Sequence, residues 1–247
     1  MKIALINMCS EKGDLNVNFS RLEYHVSAAR KLGAGIIVFP EMTITGYFDD
    51  ERVAKYALNK ESKYCQKVSK LTENNDLTII FGIAEKENDK LYITQFVAEG
   101  GQIIGKYRKQ NIVDKEARVF HPGSNNPIFE KDSLKYGLTI CADIDLPKLY
   151  SSYAKNGCYI IFECASPDLY GDRDKRDWLS GYNWWRNNCI EKIGKYSKDY
   201  KIKVAVATQS GRNSEDDFPG GAYLFTQDGK IISETKDYKQ EILIIEI

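Results

Sequence analysis

Three short segments of this sequence carry side chains that could together perform nucleophilic chemistry. Residues 39–41 (FPE) supply the carboxylate of Glu41, residues 105–109 (GKYRK) supply the ammonium group of Lys109, and residues 137–143 (GLTICAD) supply the thiol of Cys141. Each segment ends or follows an apolar run that is typical of a buried strand. Because functional groups of α/β folds gather at the carboxyl ends of strands, we expect the three groups to meet.

A free thiol needs help to act as a nucleophile, since only a few per cent of it is thiolate at neutral pH. A neighbouring lysine lowers the pKa of a thiol, and a carboxylate can accept its proton. The three groups could therefore form an acyl-transfer site without histidine. The only two histidines, His25 and His121, lie far apart, and no Cys-x-x-Cys pair exists. The spacing thus argues against a structural zinc site.

The composition excludes several function classes. The chain has 247 residues, with 35 Lys and Arg against 35 Asp and Glu. The balanced charge gives no reason to expect a nucleic-acid partner, and the longest apolar runs are too short to span a membrane. The first residues lack the long apolar core and cleavage site of a signal peptide, so we expect a cytoplasmic protein whose six cysteines are thiols.

The order of apolar patterns predicts an α/β fold. Strand, amphipathic helix and strand follow one another at the start of the chain, which is typical of parallel neighbouring strands. Glycine-containing turns at 99–101 and 227–229 predict two hairpins. The predicted strands are 2–8, 35–39, 77–84, 90–98, 102–107, 136–141, 158–164, 203–208, 222–226, 230–233 and 241–247, and the predicted helices lie around 16–32, 64–71, 146–155 and 178–200. No linker interrupts this pattern, so we expect a single domain over residues 1–247.

The three segments, in this order and spacing, resemble the motifs of the nitrilase superfamily of carbon–nitrogen hydrolases. The resemblance covers nearly the whole chain. It rests on residues 38–42, 45–47, 105–109 and 137–143, with secondary matches at 120–123, 165–167, 218–221 and 228–229. It implies a four-layer αββα sandwich in which two sheets pack face to face with helices outside. It also implies a homodimer or higher homo-oligomer, and no metal or organic cofactor.

The resemblance assigns a role to each group. Glu41 matches the general base, Lys109 the lysine that stabilises the oxyanion, and Cys141 the nucleophile. The family's second glutamate matches Glu116, which has better spacing to the Pro-Gly motif than its competitor Asp114. The backbone N–H of Ala142 would complete the oxyanion hole; many relatives carry an aromatic residue at this position, so the pocket wall is expected to differ here.

Other residues are candidates with open alternatives. Cys164 is the rival nucleophile at a strand end, and the remaining cysteines are expected to be structural. Glu163 interrupts an apolar run, so it meets a substrate amine, pairs with a nearby base, or points outward from its strand. The candidate substrate-binding residues are Tyr47, Glu163, Tyr170, Asp172 and Arg173.

The expected function is hydrolysis of a small amide or N-carbamoyl amine through a cysteine thioester. Three alternatives remain open: a catalytically silent protein that binds a ligand or partner, acyl transfer to an amine, and true nitrile hydrolysis. The sequence does not specify the substrate within these classes.

Overall fold

The strands and helices follow the alternation of buried and exposed residues along the chain. The computed structural model describes residues 1–73 and 76–247. The strands are β1 (Lys2–Ile6), β2 (Ile36–Val38), β3 (Thr78–Glu87), β4 (Lys90–Glu99), β5 (Gln102–Arg108), β6 (Phe129–Lys131), β7 (Leu134–Ile140), β8 (Ile160–Ala165), β9 (Lys203–Thr208), β10 (Ser210–Arg212), β11 (Asp217–Pro219), β12 (Tyr223–Phe225), β13 (Ile231–Glu234) and β14 (Ile242–Glu246). The helices are α1 (Leu15–Lys31), α2 (Lys63–Lys70), α3 (Pro147–Lys155), α4 (Trp178–Cys189) and α5 (Lys195–Tyr200).

Two six-stranded sheets form the frame. The first has the order β14-β1-β2-β3-β4-β5, and the second has the order β13-β12-β9-β8-β7-β6. The central strands are parallel: β1, β2 and β3 in the first sheet, and β7, β8 and β9 in the second. β10 and β11 form a separate antiparallel ribbon. The carboxyl ends of the parallel strands therefore offer an edge in each sheet where functional loops can begin.

Side-chain alternation divides the apolar residues of the first sheet between two cores. In β1, Ile3 and Leu5 belong to the core that contains the second sheet, whereas Ala4 and Ile6 pack with residues of α1 and α2. The second sheet carries α3 and α4 on its other side, with Tyr150 and Trp185 among the buried residues. The layers are thus helix, sheet, sheet, helix, and the expected αββα sandwich is confirmed.

Most predicted elements are present, and one differs. The predicted helix over 178–200 consists of α4 and α5 joined by a π-helical turn at Ile190–Gly194. A π turn inserts one residue and shifts which side chains face the core. Gly194, at the end of this turn, lies close to the backbone of Gly229. A Cβ at residue 194 would be 3.0 Å from the Gly229 carbonyl oxygen. Sequence periodicity alone, which stepped regularly through this region, did not reveal the break.

None of the helices in the described part of the chain is both long and apolar enough to cross a lipid bilayer.

One glycine fixes how closely the loop after β2 approaches β3. A Cβ on Gly82 would lie 2.3 Å from the Met42 backbone nitrogen and 2.8 Å from the Pro40 carbonyl oxygen. Contacts this short with backbone cannot be relieved by a side-chain rotation. The loop that carries Glu41 therefore packs on β3 only because residue 82 has no side chain.

We expect Gly82→Ala to lower the free energy of unfolding by about 2–3 kcal/mol, since the new methyl group forces the loop and the strand apart. Urea unfolding followed by fluorescence measures this. Gly35→Ala is the matched control, because a Cβ there meets no atom closer than 3.7 Å. Equal stability of the two variants would show that the loop yields without cost.

Candidate active site

Glu41 stands immediately beyond β2 and is fully buried. Its backbone carbonyl accepts hydrogen bonds from Gln209 Nε2 and Ser166 Oγ, both at 3.1 Å. These two donors come from the ends of β9 and β8, so the second sheet holds the loop of the first. The backbone of Glu41 is therefore held by the first sheet, whose strand β2 it follows, and by the second sheet, through these two hydrogen bonds.

Lys109 follows β5 directly and is 1% exposed. Its Nζ donates to Glu41 Oε1 at 3.0 Å and to the two oxygens of Glu116 at 2.8 and 2.9 Å. The ammonium group is thus held between two buried carboxylates. Oε2 of Glu41 has no hydrogen-bond partner among the described residues, which leaves a free acceptor beside the ammonium group.

Glu116, rather than Asp114, reaches the lysine. Glu116 lies on a single 3-10 turn at Asp114–Arg118 and is buried, whereas Asp114 is exposed. Tyr47 donates to Glu116 Oε1 at 3.0 Å. Tyr47, which the sequence suggested as a substrate ligand, therefore also positions the second glutamate.

Cys141 begins a short 3-10 turn where β7 ends, and it adopts a left-handed backbone conformation with φ of 48°. Such a conformation is costly for a residue other than glycine and is found where surrounding structure enforces it. Asp143 supplies much of that enforcement. Its carboxylate accepts from the N–H of Ile140 at 3.0 Å and from the Tyr107 hydroxyl at 2.7 Å.

The other carboxylate oxygen of Asp143 ties the cysteine turn to the lysine loop. It accepts from the backbone N–H of Gln110 at 3.0 Å and of Asn111 at 2.8 Å, directly after Lys109. Asn111 in turn donates to the carbonyl of Ala142 at 2.7 Å. Sequence reasoning quoted Asp143 within a motif but gave it no role; its position two residues after Cys141, at a strand end, was the available signal. Ser166 and Gln209 were also missed.

The pKa values of the three reactive groups reflect burial and mutual charge. Burial raises the pKa of Glu41 to about 7, against the opposing effect of Lys109. Burial lowers the pKa of Lys109, but Glu41, Cys141 and Glu116 outweigh it, so the net direction is well upward. The ammonium group is therefore charged at neutral pH.

The Cys141 thiol is protonated in the resting state. Burial and the Glu41 charge raise its pKa well above the ordinary value, although Lys109 and the N–H of Ser166 act in the other direction. Lys109 lowers the pKa of the thiol, as expected for a neighbouring lysine, but burial and the carboxylate outweigh it. Glu41, with a pKa of about 7, is suited to take the proton during attack.

A cavity of about 590 Å³ opens onto these groups. Its lining includes Cys141, Ala142, Lys109, Glu116 and Tyr47, and further residues are Tyr170, Asp168, Trp184, Trp185, Ser166 and Asn188. The structure therefore brings together the four predicted catalytic side chains, Ala142, and two of the five candidate substrate-binding residues, with Glu41 buried directly behind Lys109.

Glu163 lies away from this cavity. It is fully buried, and its Oε2 accepts from the Thr139 hydroxyl and from Tyr150 OH, the latter at 3.0 Å. Tyr150 belongs to α3, so the side chain faces the helix layer. It does not point outward to solvent, and it does not line the cavity. Burial raises the pKa of Glu163 to about 8, so the side chain is a neutral acid at pH 7.

Asp172 and Arg173 also lie outside the cavity lining. Asp172 is exposed and pairs with Lys175 at 3.4 Å. Arg173 pairs with the buried Asp217 at 3.1 Å. Asp172 thus has its partner within the loop before α4, Arg173 has its partner on β11, and neither residue lines the cavity of Cys141.

The rival nucleophile Cys164 is fully buried within the core between the sheets, and burial raises the pKa of its thiol. It does not line the cavity of Cys141. In residues 1–73 and 76–247, no group of three His, Cys, Asp or Glu side chains is arranged to hold a metal ion.

Comparison with known proteins identifies the family of this chain. The family model described as carbon-nitrogen hydrolase matches residues 2–247. A glutamine-dependent NAD(+) synthetase of Acinetobacter baylyi is 26% identical over 98% of this chain, and the chain spans only 43% of the length of that relative. A 2-oxoglutaramate amidase of Bacillus subtilis is 25% identical over 90% of this chain and 81% of its own.

The fold also matches solved structures. An amidase from Nesterenkonia sp. AN1 superimposes with a TM-score of 0.85 at 17% identity, over 100% of this chain and 90% of that one. That structure is of a mutant with the acetamide moiety of fluoroacetamide added covalently at its active-site cysteine.

The buried carboxyl group of Glu163 makes the free energy of unfolding depend on pH. The unfolded chain ionises Glu163 near its ordinary pKa of 4.5, whereas the folded chain keeps it protonated up to about 8. The folded state therefore binds the extra proton between these values, and stability falls as pH rises through them. We expect Glu163→Gln to reduce this fall by a few kcal/mol between pH 5 and 8.

Urea unfolding at pH 5, 6, 7 and 8 measures the effect. Glu130→Gln, at an exposed position of β6, is the control and should reproduce the wild-type slope. Parallel stability profiles for wild type and Glu163→Gln would contradict the neutral-acid assignment.

Proposed function

The chain belongs to the carbon–nitrogen hydrolase family, and on that basis we propose that it hydrolyses the C–N bond of a small amide or N-carbamoyl amine through a thioester at Cys141. The observation that carries the proposal is the contact of Lys109 with both Glu41 and Glu116 beside a cysteine in the same cavity. This arrangement supplies a base, a fixed positive charge and a nucleophile without an imidazole.

In the first half-reaction, Glu41 accepts the proton of the Cys141 thiol while Sγ forms a bond to the carbonyl carbon. The carbonyl oxygen becomes an oxyanion, which Lys109 and the N–H of Ala142 stabilise; one such donor contributes about 10²–10³ in rate. The C–N bond then breaks, and Glu41 gives its proton to the leaving nitrogen. Ammonia or an amine departs, and the acyl group remains on sulfur.

In the second half-reaction, Glu41 accepts a proton from water while the water oxygen attacks the thioester carbon. A second oxyanion collapses, the C–S bond breaks, and the proton on Glu41 returns to the thiol. The products are a carboxylic or carbamic acid and the regenerated Cys141. Glu116 keeps Lys109 in place through both steps, and Tyr47 holds Glu116.

Glutamine is a second candidate substrate. The Acinetobacter baylyi relative is glutamine-dependent, and this chain aligns with 43% of it. If glutamine is the substrate, the chain releases ammonia from the glutamine side chain, which is also a primary amide. The same thioester chemistry serves both candidates, so the substrate assay separates them.

The test is ammonia or amine release from a panel of aliphatic amides, N-carbamoyl amines, N-carbamoyl amino acids, L-glutamine and nitriles. We expect turnover of at least one amide or carbamoyl compound and a loss of at least about 10⁴-fold in kcat with Cys141→Ala. Cys9→Ala is the matched control, since Cys9 is half-buried and does not line the cavity. Turnover of the nitriles alone, or of nothing on the panel, would overturn the proposal.

The role of Glu41 predicts a pH dependence for Cys141. Because a deprotonated Glu41 is needed to accept the thiol proton, alkylation of Cys141 by iodoacetamide should rise as pH increases through about 7. Glu41→Gln should remove this rise. Mass spectrometry of the Cys141 peptide measures the rate, with the Cys9 peptide as the internal reference. An identical pH profile in Glu41→Gln would refute general-base activation.

A further inference from the structure

The catalytic cavity continues into a second one. The outer cavity, of about 470 Å³, is lined by residues of the loop before α4 and of α4 itself. Asp168, Tyr170 and Trp184 line both cavities. These three residues, which we call the junction, therefore form the boundary between the cavity that contains Cys141 and the outer cavity.

The positive charges of the cavity walls are already paired. Lys109 contacts Glu41 and Glu116, Lys115 pairs with Asp49 at 3.5 Å, and Lys192 pairs with Asp145. In the outer cavity, Arg176 pairs with the buried Asp217 at 3.1 Å and Lys175 pairs with Asp172. An anionic substrate group would have to compete with the carboxylates that already pair with these cations.

Asp168 has the opposite character. No lysine or arginine of residues 1–73 and 76–247 forms an ion pair with it. The nearby Lys12 is held by Asp216 at 3.0 Å and by Glu215 at 3.1 Å. Burial and the charge of Asp216 raise the pKa of Asp168, while the backbone of Asp217 and Leu169 and the charge of Lys12 act to lower it.

The loop that carries Asp168 is held in place from behind. Arg176 Nη2 donates to the Leu169 carbonyl at 2.8 Å, and a second nitrogen of its guanidinium donates to the Tyr170 carbonyl. Arg176 is itself anchored on Asp217. The backbone of the loop beside Asp168 is therefore held before a substrate binds, and a loop that is already ordered loses less to ordering than a mobile one.

The junction also presents aromatic surface. Tyr170 is 82% exposed and Trp184 is 47% exposed, which is unusual for large apolar side chains beside a cavity. A carboxylate next to exposed aromatic rings matches an organic cation, which pairs with the first and is attracted to the faces of the second.

We propose that the protein acts on amides whose distal end carries an amine cation, with Asp168 as the residue that selects it. The inference rests on the proposed function, since it places the amide carbonyl at Cys141. Amides that end in a carboxylate, including the 2-oxoglutaramate of the Bacillus subtilis relative, meet no free cation and are disfavoured.

The test compares three primary amides of equal chain length: 5-aminopentanamide, hexanamide and adipamate, which end in an ammonium, a methyl and a carboxylate group. We expect wild-type kcat/KM to be at least about 10-fold higher for the cationic amide than for the neutral one, and lowest for the anionic one. Asp168→Asn should lower kcat/KM for 5-aminopentanamide about 10-fold or more, chiefly through KM, and leave hexanamide within about 2-fold. Asp172→Asn, in the outer cavity only, is the matched control and should change neither.

A binding measurement separates the two proposals. Calorimetry of Cys141→Ala protein with the same three amides reports selection without turnover. Tighter binding of 5-aminopentanamide that Asp168→Asn abolishes supports the selection even if no amide is hydrolysed, in which case the proposed function alone fails. Equal turnover or equal binding of the three amides, or no effect of Asp168→Asn, overturns the selection and leaves amide hydrolysis standing.

Discussion

The buried ammonium group of Lys109 is the constraint on which the rest of the site depends. Removing a charge from water costs several kcal/mol unless it is paired, and here Glu41 and Glu116 both pair with it. Two carboxylates around one cation leave an excess negative charge, which contributes to the raised pKa of Glu41. Burial is the main cause of this raised pKa and Lys109 opposes it, so the base titrates near pH 7 because its burial outweighs its pairing with the lysine.

This arrangement requires groups from both sheets to lie within hydrogen-bond distance of one another. Hydrogen bonds between the loops that follow the strands hold them there. Asp143 joins the turn of Cys141 to the segment after Lys109, and Ser166 and Gln209 hold the carbonyl of Glu41. Each link uses a buried polar group whose partner lies on another strand end. Because a buried polar group that loses its partner is costly, these links resist displacement of the reactive side chains.

Much of this could be predicted from the sequence. Apolar runs located the strands, Glu41, Lys109 and Cys141 followed predicted strands, and Glu116 was found by its spacing to the Pro-Gly motif. The features that could not be predicted depend on which way a side chain points and on how deeply it is buried. Glu163 interrupts an apolar strand, but which face of β8 it lies on is set by the register with β7, and it meets Tyr150 rather than the cavity. The thiol pKa likewise depended on burial, which spacing along the chain does not reveal.

The residues that we propose for catalysis and for selection are held differently. The reactive groups sit directly at strand ends, where the sheet leaves little freedom. Asp168 and Tyr170 sit on a loop whose shape depends on Arg176 and, through it, on the buried Asp217. Asp217 also binds Arg212, so one carboxylate orders the loop before α4 and the ribbon of β10 and β11 together. The two networks meet at Ser166, two residues before Asp168, and at Gln209, directly before β10, which both hold the Glu41 carbonyl. Changes at Tyr170 or Arg176 can therefore alter what the cavity accepts, whereas changes at Ser166 or Gln209 also act on the position of Glu41.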